Sequence, residues 1–167
     1  MITIHEAAYT DKSVMRNLLE LYKYDFSEFD PEDDLNDNGL YEYMYLDHYW
    51  TEEGRYPFLF RVDGKLAGFA LVRKLQEERE SLLPLHAMAE FFILRKYRRS
   101  GAGKQAAFEL FDLLPGRWKV GEMESNVPAQ KFWRNVIGHY TNDQYEEISE
   151  KGWDGPIQCF ETRSQPE

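Results

Sequence analysis

Between Glu90 and Leu110 this 167-residue chain reads EFFILRKYRRSGAGKQAAFEL. A carboxylate in an apolar run leads through a basic loop with two glycines into a helical pattern. Such a loop suits phosphate, because first-turn helix amides lack intrahelical acceptors and sit at the positive end of the dipole. Gly101 and Gly103 allow positive φ and keep a Cβ away from an approaching anion. Arg98 and Arg99 add charge. A GxG at a helix start can also be only a tight turn. Two other phosphate templates do not fit: a Walker-type loop needs Ser or Thr after its lysine, where Gln105 follows Lys104, and a dinucleotide fingerprint needs glycine at the position of Ala106. Downstream, Glu122 and Glu124 share one face of an expected strand, and His86 reads as a structural histidine.

The elements that must position these residues follow from periodicity. Ile2 to His5 alternates as a short strand, and Thr10 or Asp11 can cap a helix with the stripe Val14, Leu18, Leu21 and Tyr22. Asp25 to Asp37 contains seven acids and Pro31 and is expected to be a surface loop. Tyr41 to Trp50 resumes a helix-compatible pattern. Phe58 to Val62 and Leu66 to Val72 flank Asp63-Gly64, a hairpin signal. Glu77 to Glu80 is charged enough for the chain to turn there. His86 to Leu94 is nearly continuously apolar, as a central strand buried on both faces would be. A helix over 104–114 presents Ala107, Leu110, Phe111 and Leu114, and Pro115-Gly116 stops it. Trp118 to Glu124 reads as a strand, Ala129 to Ile137 as a helix and Ile157 to Glu161 as a last strand. The final TRSQPE is expected to fray. No repeat or linker divides residues 1–167, which are expected to form a single domain.

A chain of this size buries roughly 70% of its unfolded surface on folding. Cys159 is alone, and MITIHEAAYT lacks the pattern of an export leader, so a reducing cytoplasm is the expected location. No apolar run approaches the roughly 20 residues of a membrane-spanning helix, and no membrane association is expected. The formal charge of −10 opposes nucleic-acid binding, leaving Arg95 to Arg99 as the one basic patch. The 16% aromatic content fits a well-filled core.

Arg98-Arg99-Ser100-Gly101-Ala102-Gly103 resembles the pyrophosphate signature of the GNAT superfamily of acyl-CoA-dependent N-acetyltransferases, in which Arg or Gln stands three residues before GxG or GxA. Asn126-Val127-Pro128-Ala129-Gln130-Lys131-Phe132-Trp133 is similar to that family's second cofactor motif, NxxAxx followed by two bulky residues. The likeness covers roughly residues 58 to 141, and the N-terminal third by element order. It implies an α/β fold with a mixed, mostly antiparallel sheet of about seven strands flanked by helices, strands four and five splayed apart. It also implies acetyl-CoA as co-substrate, no metal, and a small-molecule amine or lysine-bearing acceptor; a homodimer is compatible with it. The pantetheine arm would pair with the backbone of Phe92, Ile93 and Leu94. The pyrophosphate would rest on the amides of Arg99, Ser100, Gly101, Ala102, Gly103 and Lys104. Asn126, Lys131 and Trp133 would border the cofactor.

A lysine-like amine, with a pKa of about 10.4, is protonated at neutral pH and must lose a proton before it attacks. The resemblance points to Glu90 as base, with Glu122 as a further candidate; desolvation would raise either pKa. The same acids can instead be solvated or ion-paired. The amide of Ile93 or Leu94 is the family-based oxyanion donor. Relatives often use a tyrosine where this chain has Trp133, and an indole cannot protonate a departing thiolate; Tyr140 is a candidate substitute. The same feature keeps open a catalytically silent acyl-CoA-binding module, or a nucleotide-binding regulator. The acids of 25–37 favour a cationic acceptor if that loop lines the cleft, and otherwise only solvate the surface.

Overall fold

The computed structural model describes residues 1–77 and 81–163. Most of the expected 77–80 turn and the last four residues of the tail lie outside them. Seven strands form one sheet: β1 (Ile2–Glu6), β2 (Arg55–Val62), β3 (Lys65–Leu75), β4 (Leu85–Ile93), β5 (Arg117–Gly121), β6 (Glu146–Ile148) and β7 (Ile157–Glu161). Their order is β1-β2-β3-β4-β5-β7-β6, and every pair is antiparallel except β4 with β5. The helices are α1 (Lys12–Phe26), α2 (His48–Thr51), α3 (Ala102–Leu113) and α4 (Val127–Thr141).

Alternation along the strands sends side chains to two separate cores. Phe58, Phe60, Ala70, Val72 and Ile93 pack with α3 and α4, whereas Leu59, Phe69, Leu71 and Phe92 pack with α1 and α2. The Asp63-Gly64 turn has positive φ at both residues, +48° and +79°, as a two-residue turn matching strand twist requires. α4 starts two residues earlier than expected because Asn126 Oδ1 accepts from the Ala129 amide at 3.1 Å, with Pro128 in the first turn.

Several sequence expectations need correction. Met15, Leu18 and Leu19 form the buried face of α1, and Leu21 is 52% exposed, since its position turns away from the sheet. Tyr41 to Trp50 is mostly turns, with α2 confined to its end. β5 stops at Gly121, so Glu122 and Glu124 lie beyond the strand; Glu122 is buried and Glu124 exposed. β6 had no sequence expectation, because three residues carry too little periodicity. β4 is not buried on both faces throughout: Ala89, Glu90 and Phe91 are half-buried. The reason is the splay, since β5 pairs with β4 only at Leu85 to Ala87 and leaves an opening beside the rest of the strand. His86 is buried between the rings of Tyr56 and Trp118, a core position.

Candidate functional site

The opening between β4 and β5 is a cleft of about 480 Å³. Glu90 and Phe91 line it from β4, Val120 to Met123 from β5 and beyond, Asn126 from the cap of α4, Trp133 from α4, and Tyr22 and Lys23 from α1. Sheet order thus brings Glu90 and Glu122 to opposite walls. The ladder between the two strands ends at the pair Ala87 and Lys119, before either residue is reached.

Glu90 is tied to the neighbouring elements. Tyr22 donates its hydroxyl to Glu90 Oε2 at 2.5 Å, and Tyr43 donates to Oε1 at 3.3 Å. Burial raises the Glu90 pKa, while the hydroxyls of Tyr22 and Tyr43 and the Lys23 ammonium pull against it. Glu122 is 4% exposed, and neither carboxyl oxygen has a hydrogen-bond partner among the described residues. Burial is the main reason its pKa is pushed up to about 8, the Glu147 carboxylate adding to the effect and Gln158 and Arg134 opposing it.

The glycine loop is shaped by two left-handed residues, Arg99 with φ +60° and Gly101 with φ +85°. A positive φ at a non-glycine residue is uncommon and marks a constrained turn. Gly101 caps α3, and the first intrahelical bond runs from Gln105 N to Gly101 O at 3.0 Å. The amides of Ala102, Gly103 and Lys104 precede that bond and are the donors a helix start offers an anion.

Not every expected loop residue is turned that way. Arg98 Nε donates to Ile93 O at 2.8 Å and its Nη2 to Asp25 Oδ2 at 2.6 Å, so it fastens the loop to α1. Arg95 pairs with the same Asp25, so two of the four bases of the Arg95–Arg99 patch share one carboxylate. Ser100 Oγ donates to Tyr97 O at 2.6 Å. A Cβ on Gly103 would lie 3.1 Å from the Phe132 ring, so helix packing is the first demand for glycine there. Lys104 Nζ lies 2.7 Å from His139 Nδ1, and Lys131 is exposed.

None of Phe92, Ile93 and Leu94 lines the cleft, and one of them turns its amide away from β3. Leu94 N donates to Ala67 O at 2.8 Å, and Phe92 pairs with Phe69 across the same edge. Strand alternation turns the Ile93 amide the other way, toward the splay. Trp133 packs against Phe91 and Phe132, each with ring centroids 4.9 Å apart, and forms an apolar wall. Tyr140 does not join the cleft: it is buried against Phe111, and its hydroxyl donates to Asp112 Oδ1 at 2.7 Å. Burial and Asp112 push its pKa up to about 12, the state of a packing residue.

Sequence reading missed Tyr22 and Tyr43 as partners of Glu90. Tyr22 was legible as part of an apolar stripe, but nothing local pairs it with a residue 68 positions away. It also missed Trp153 and Asp154, which line the cleft from the loop before β7, where Trp153 Nε1 donates to Glu122 O at 3.2 Å. Among the described residues no helix is long and apolar enough to cross a membrane.

The profile of the Acetyltransferase (GNAT) family matches residues 15–138. No curated protein matches the chain. Among solved structures, an aminoglycoside acetyltransferase from an uncultured soil metagenomic sample, bound to sisomicin, is similar with a TM-score of 0.65 and 17% identity over 91% of this chain and 95% of that one. An aminoglycoside acetyltransferase bound to coenzyme A has a TM-score of 0.66 and 13% identity over 96% of this chain and 95% of its own. The ribosomal-protein-alanine N-acetyltransferase from Escherichia coli has a TM-score of 0.61 and 13% identity, covering 100% of this chain and 97% of that one. At such identities the likeness is one of fold.

Proposed function

Because this chain belongs to the Acetyltransferase (GNAT) family, we propose that it transfers an acetyl group from acetyl-CoA to a primary amine by direct attack, as a single cytoplasmic domain. The observation that carries this reading is the splay of β4 from β5, which puts a half-buried, tyrosine-bonded Glu90 in a cleft, on the strand that leads through the glycine loop into α3.

Each part of the reaction has a residue suited to it. The amides of Ala102 to Lys104 meet the pyrophosphate, with the Arg99 side chain beside them. The Ile93 amide, turned away from β3, hydrogen-bonds the carbonyl oxygen as it becomes an oxyanion. Glu90 takes the proton of the attacking amine. Its raised pKa makes it a better base than an ordinary carboxylate, while two phenol hydroxyls hold its orientation. Trp133 closes the apolar side of the cleft.

The acceptor is a cation. The carboxylates of Asp30, Glu90 and Asp154 line the cleft, against one base, Lys23. Lys23 is itself paired with Asp33 at 2.8 Å. A protonated amine is drawn into such a field.

Calorimetric titration with CoA, followed by thiol release from acetyl-CoA across neutral amines, diamines, polyamines, aminoglycosides and lysine peptides, tests the proposal. Micromolar CoA binding with turnover of a cationic amine is expected. CoA binding without turnover of any amine would instead favour a silent acyl-CoA-binding module, the reading that Trp133 invites.

A further inference from the structure

Transfer leaves CoA as a thiolate, and the aromatic position from which a hydroxyl could protonate it is Trp133, whose ring packs on Phe91 and Phe132. Tyr140 is bound to Asp112 in the core. The chain nonetheless has a second carboxyl group in the cleft, on the wall opposite Glu90.

We propose that Glu122 is held as a neutral carboxylic acid and donates its proton to the departing CoA sulfur, the function that Trp133 cannot perform. This rests on reading the cleft as an acyl-CoA site.

The two carboxyl groups have opposite surroundings. Glu90 receives two hydroxyl donors, which favour the carboxylate. Glu122 is buried and receives none among the described residues. Near it, the buried Gln158 donates one Nε2 hydrogen to Glu147 Oε2 at 3.0 Å; its second hydrogen makes no bond to either Glu122 oxygen, and its Oε1 has no donor among the described residues. Glu147 is in turn clasped by Arg134 at 2.8 and 2.7 Å. The cation that would otherwise neutralise Glu122 is therefore engaged elsewhere. An acceptor without a donor, beside a carboxyl group without donors, favours the protonated acid. The other titratable groups lining the cleft are Glu90, Tyr22, Lys23, Asp30 and Asp154. Burial raises the pKa of both carboxyl groups, but hydroxyl donors from Tyr22 and Tyr43 oppose it only at Glu90, a difference of environment from which acid and base roles are assigned. Burial, which pushes the Glu122 pKa up to about 8, matches it to a thiol of pKa about 8.5.

The step balances. The acceptor ammonium first passes one proton to Glu90; the neutral nitrogen then bonds to the thioester carbonyl carbon and gives up its second proton to water. The C–S bond breaks with its electron pair on sulfur, and the Glu122 proton joins that sulfur. Amide and free CoA thiol result, and exchange with water then returns a proton to Glu122 and removes one from Glu90.

Hydroxylamine, a nucleophile already neutral at pH 7, isolates the leaving-group step. With acetyl-CoA and hydroxylamine, Glu122→Gln is expected to lower kcat by roughly 10²-fold without changing CoA affinity by calorimetry. Glu90→Gln should lose far less with this nucleophile than with an alkylamine. The parent's fall in rate above pH 8 should vanish in Glu122→Gln, and Glu122→Asp should recover part of the rate. Infrared difference spectra of parent against Glu122→Gln should carry a protonated-carboxyl band at pH 7 that fades by pH 9; this readout needs no turnover. An unchanged kcat, a basic limb that persists in Glu122→Gln, no thiol release from a parent that binds CoA, or no carboxyl band at pH 7 would each overturn the proposal alone. Failure of the parent to bind CoA would overturn the acyl-CoA reading as well, and calorimetry distinguishes that case.

Discussion

Tyr22 on α1 donates its hydroxyl to Glu90 on β4 at 2.5 Å, so the first helix and the central strand meet at one carboxylate. That bond opposes the rise in the Glu90 pKa caused by burial. Removing it in Tyr22→Phe therefore raises the pKa further. The acidic limb of the pH–rate profile, which reports formation of the carboxylate, should move upward by on the order of one unit. The KM for acetyl-CoA should hold. An unmoved limb would separate Glu90 from the rate-determining proton transfer.

Replacing Glu90 itself by Gln should depress the alkylamine reaction most at neutral pH. Partial recovery is expected at high pH, where neutral amine accumulates without a base. A full pH–rate profile beside CoA calorimetry tests this, with CoA affinity expected to stay at the parent value.

The glycine loop is best tested at Gly101. Gly103→Val drives a side chain into Phe132 and should cost about 1–3 kcal/mol through overpacking, confounding any loss of binding. At Gly101 an added Cβ meets nothing within 4 Å, and the expense is the left-handed φ of +85°, about 1–2 kcal/mol. Gly101→Val should remain folded by circular dichroism yet bind CoA at least tenfold more weakly. Parental CoA affinity in a folded variant would remove the loop from the site.

Glu122 makes stability depend on pH in a definite direction. Its folded pKa of about 8 exceeds the ordinary value of 4.5, so the native state keeps a proton that the unfolded chain has released. Stability falls as pH rises through that window. Glu122→Gln escapes the effect. Its melting temperature should match the parent near pH 4 and exceed it by pH 9, a difference of on the order of a few kcal/mol at about 1.4 per unit. Equal melting curves at both pH values would mean that Glu122 is not held neutral.

Acceptor selectivity should depend on Asp30 and Asp154, which line the cleft. Asp33 and Asp34 are occupied, the first by Lys23 and the second by the Leu35 amide. Asp30→Asn with Asp154→Asn should raise the KM for a diamine several-fold and flatten its salt dependence, since exposed charges are screened over about 10 Å at 0.1 M. Steady-state kinetics at two salt concentrations decide it. A best substrate that is anionic would refute the cationic acceptor.

The tight turn of the glycine loop, the hairpin and the order of every strand but β6 were legible in the amino-acid sequence, because each depends on neighbours a few residues apart. Gly101 needs its φ, Asp63-Gly64 needs its turn, and Asn126 needs only Ala129 three residues on. The family likeness rested on such local motifs. The tertiary structure alone decided which polar groups are satisfied. Tyr22 reads as an apolar stripe residue until β4 brings Glu90 to it, and Tyr140 reads as a candidate acid until Asp112 takes its hydroxyl. Arg98 reads as a phosphate ligand until Asp25, 73 residues away, holds it. Glu122 and Glu124 look alike in the sequence, yet the end of β5 leaves one buried and the other in water. Burial and hydrogen-bond partners belong to the packed molecule, and they set the proton affinity of each carboxyl group.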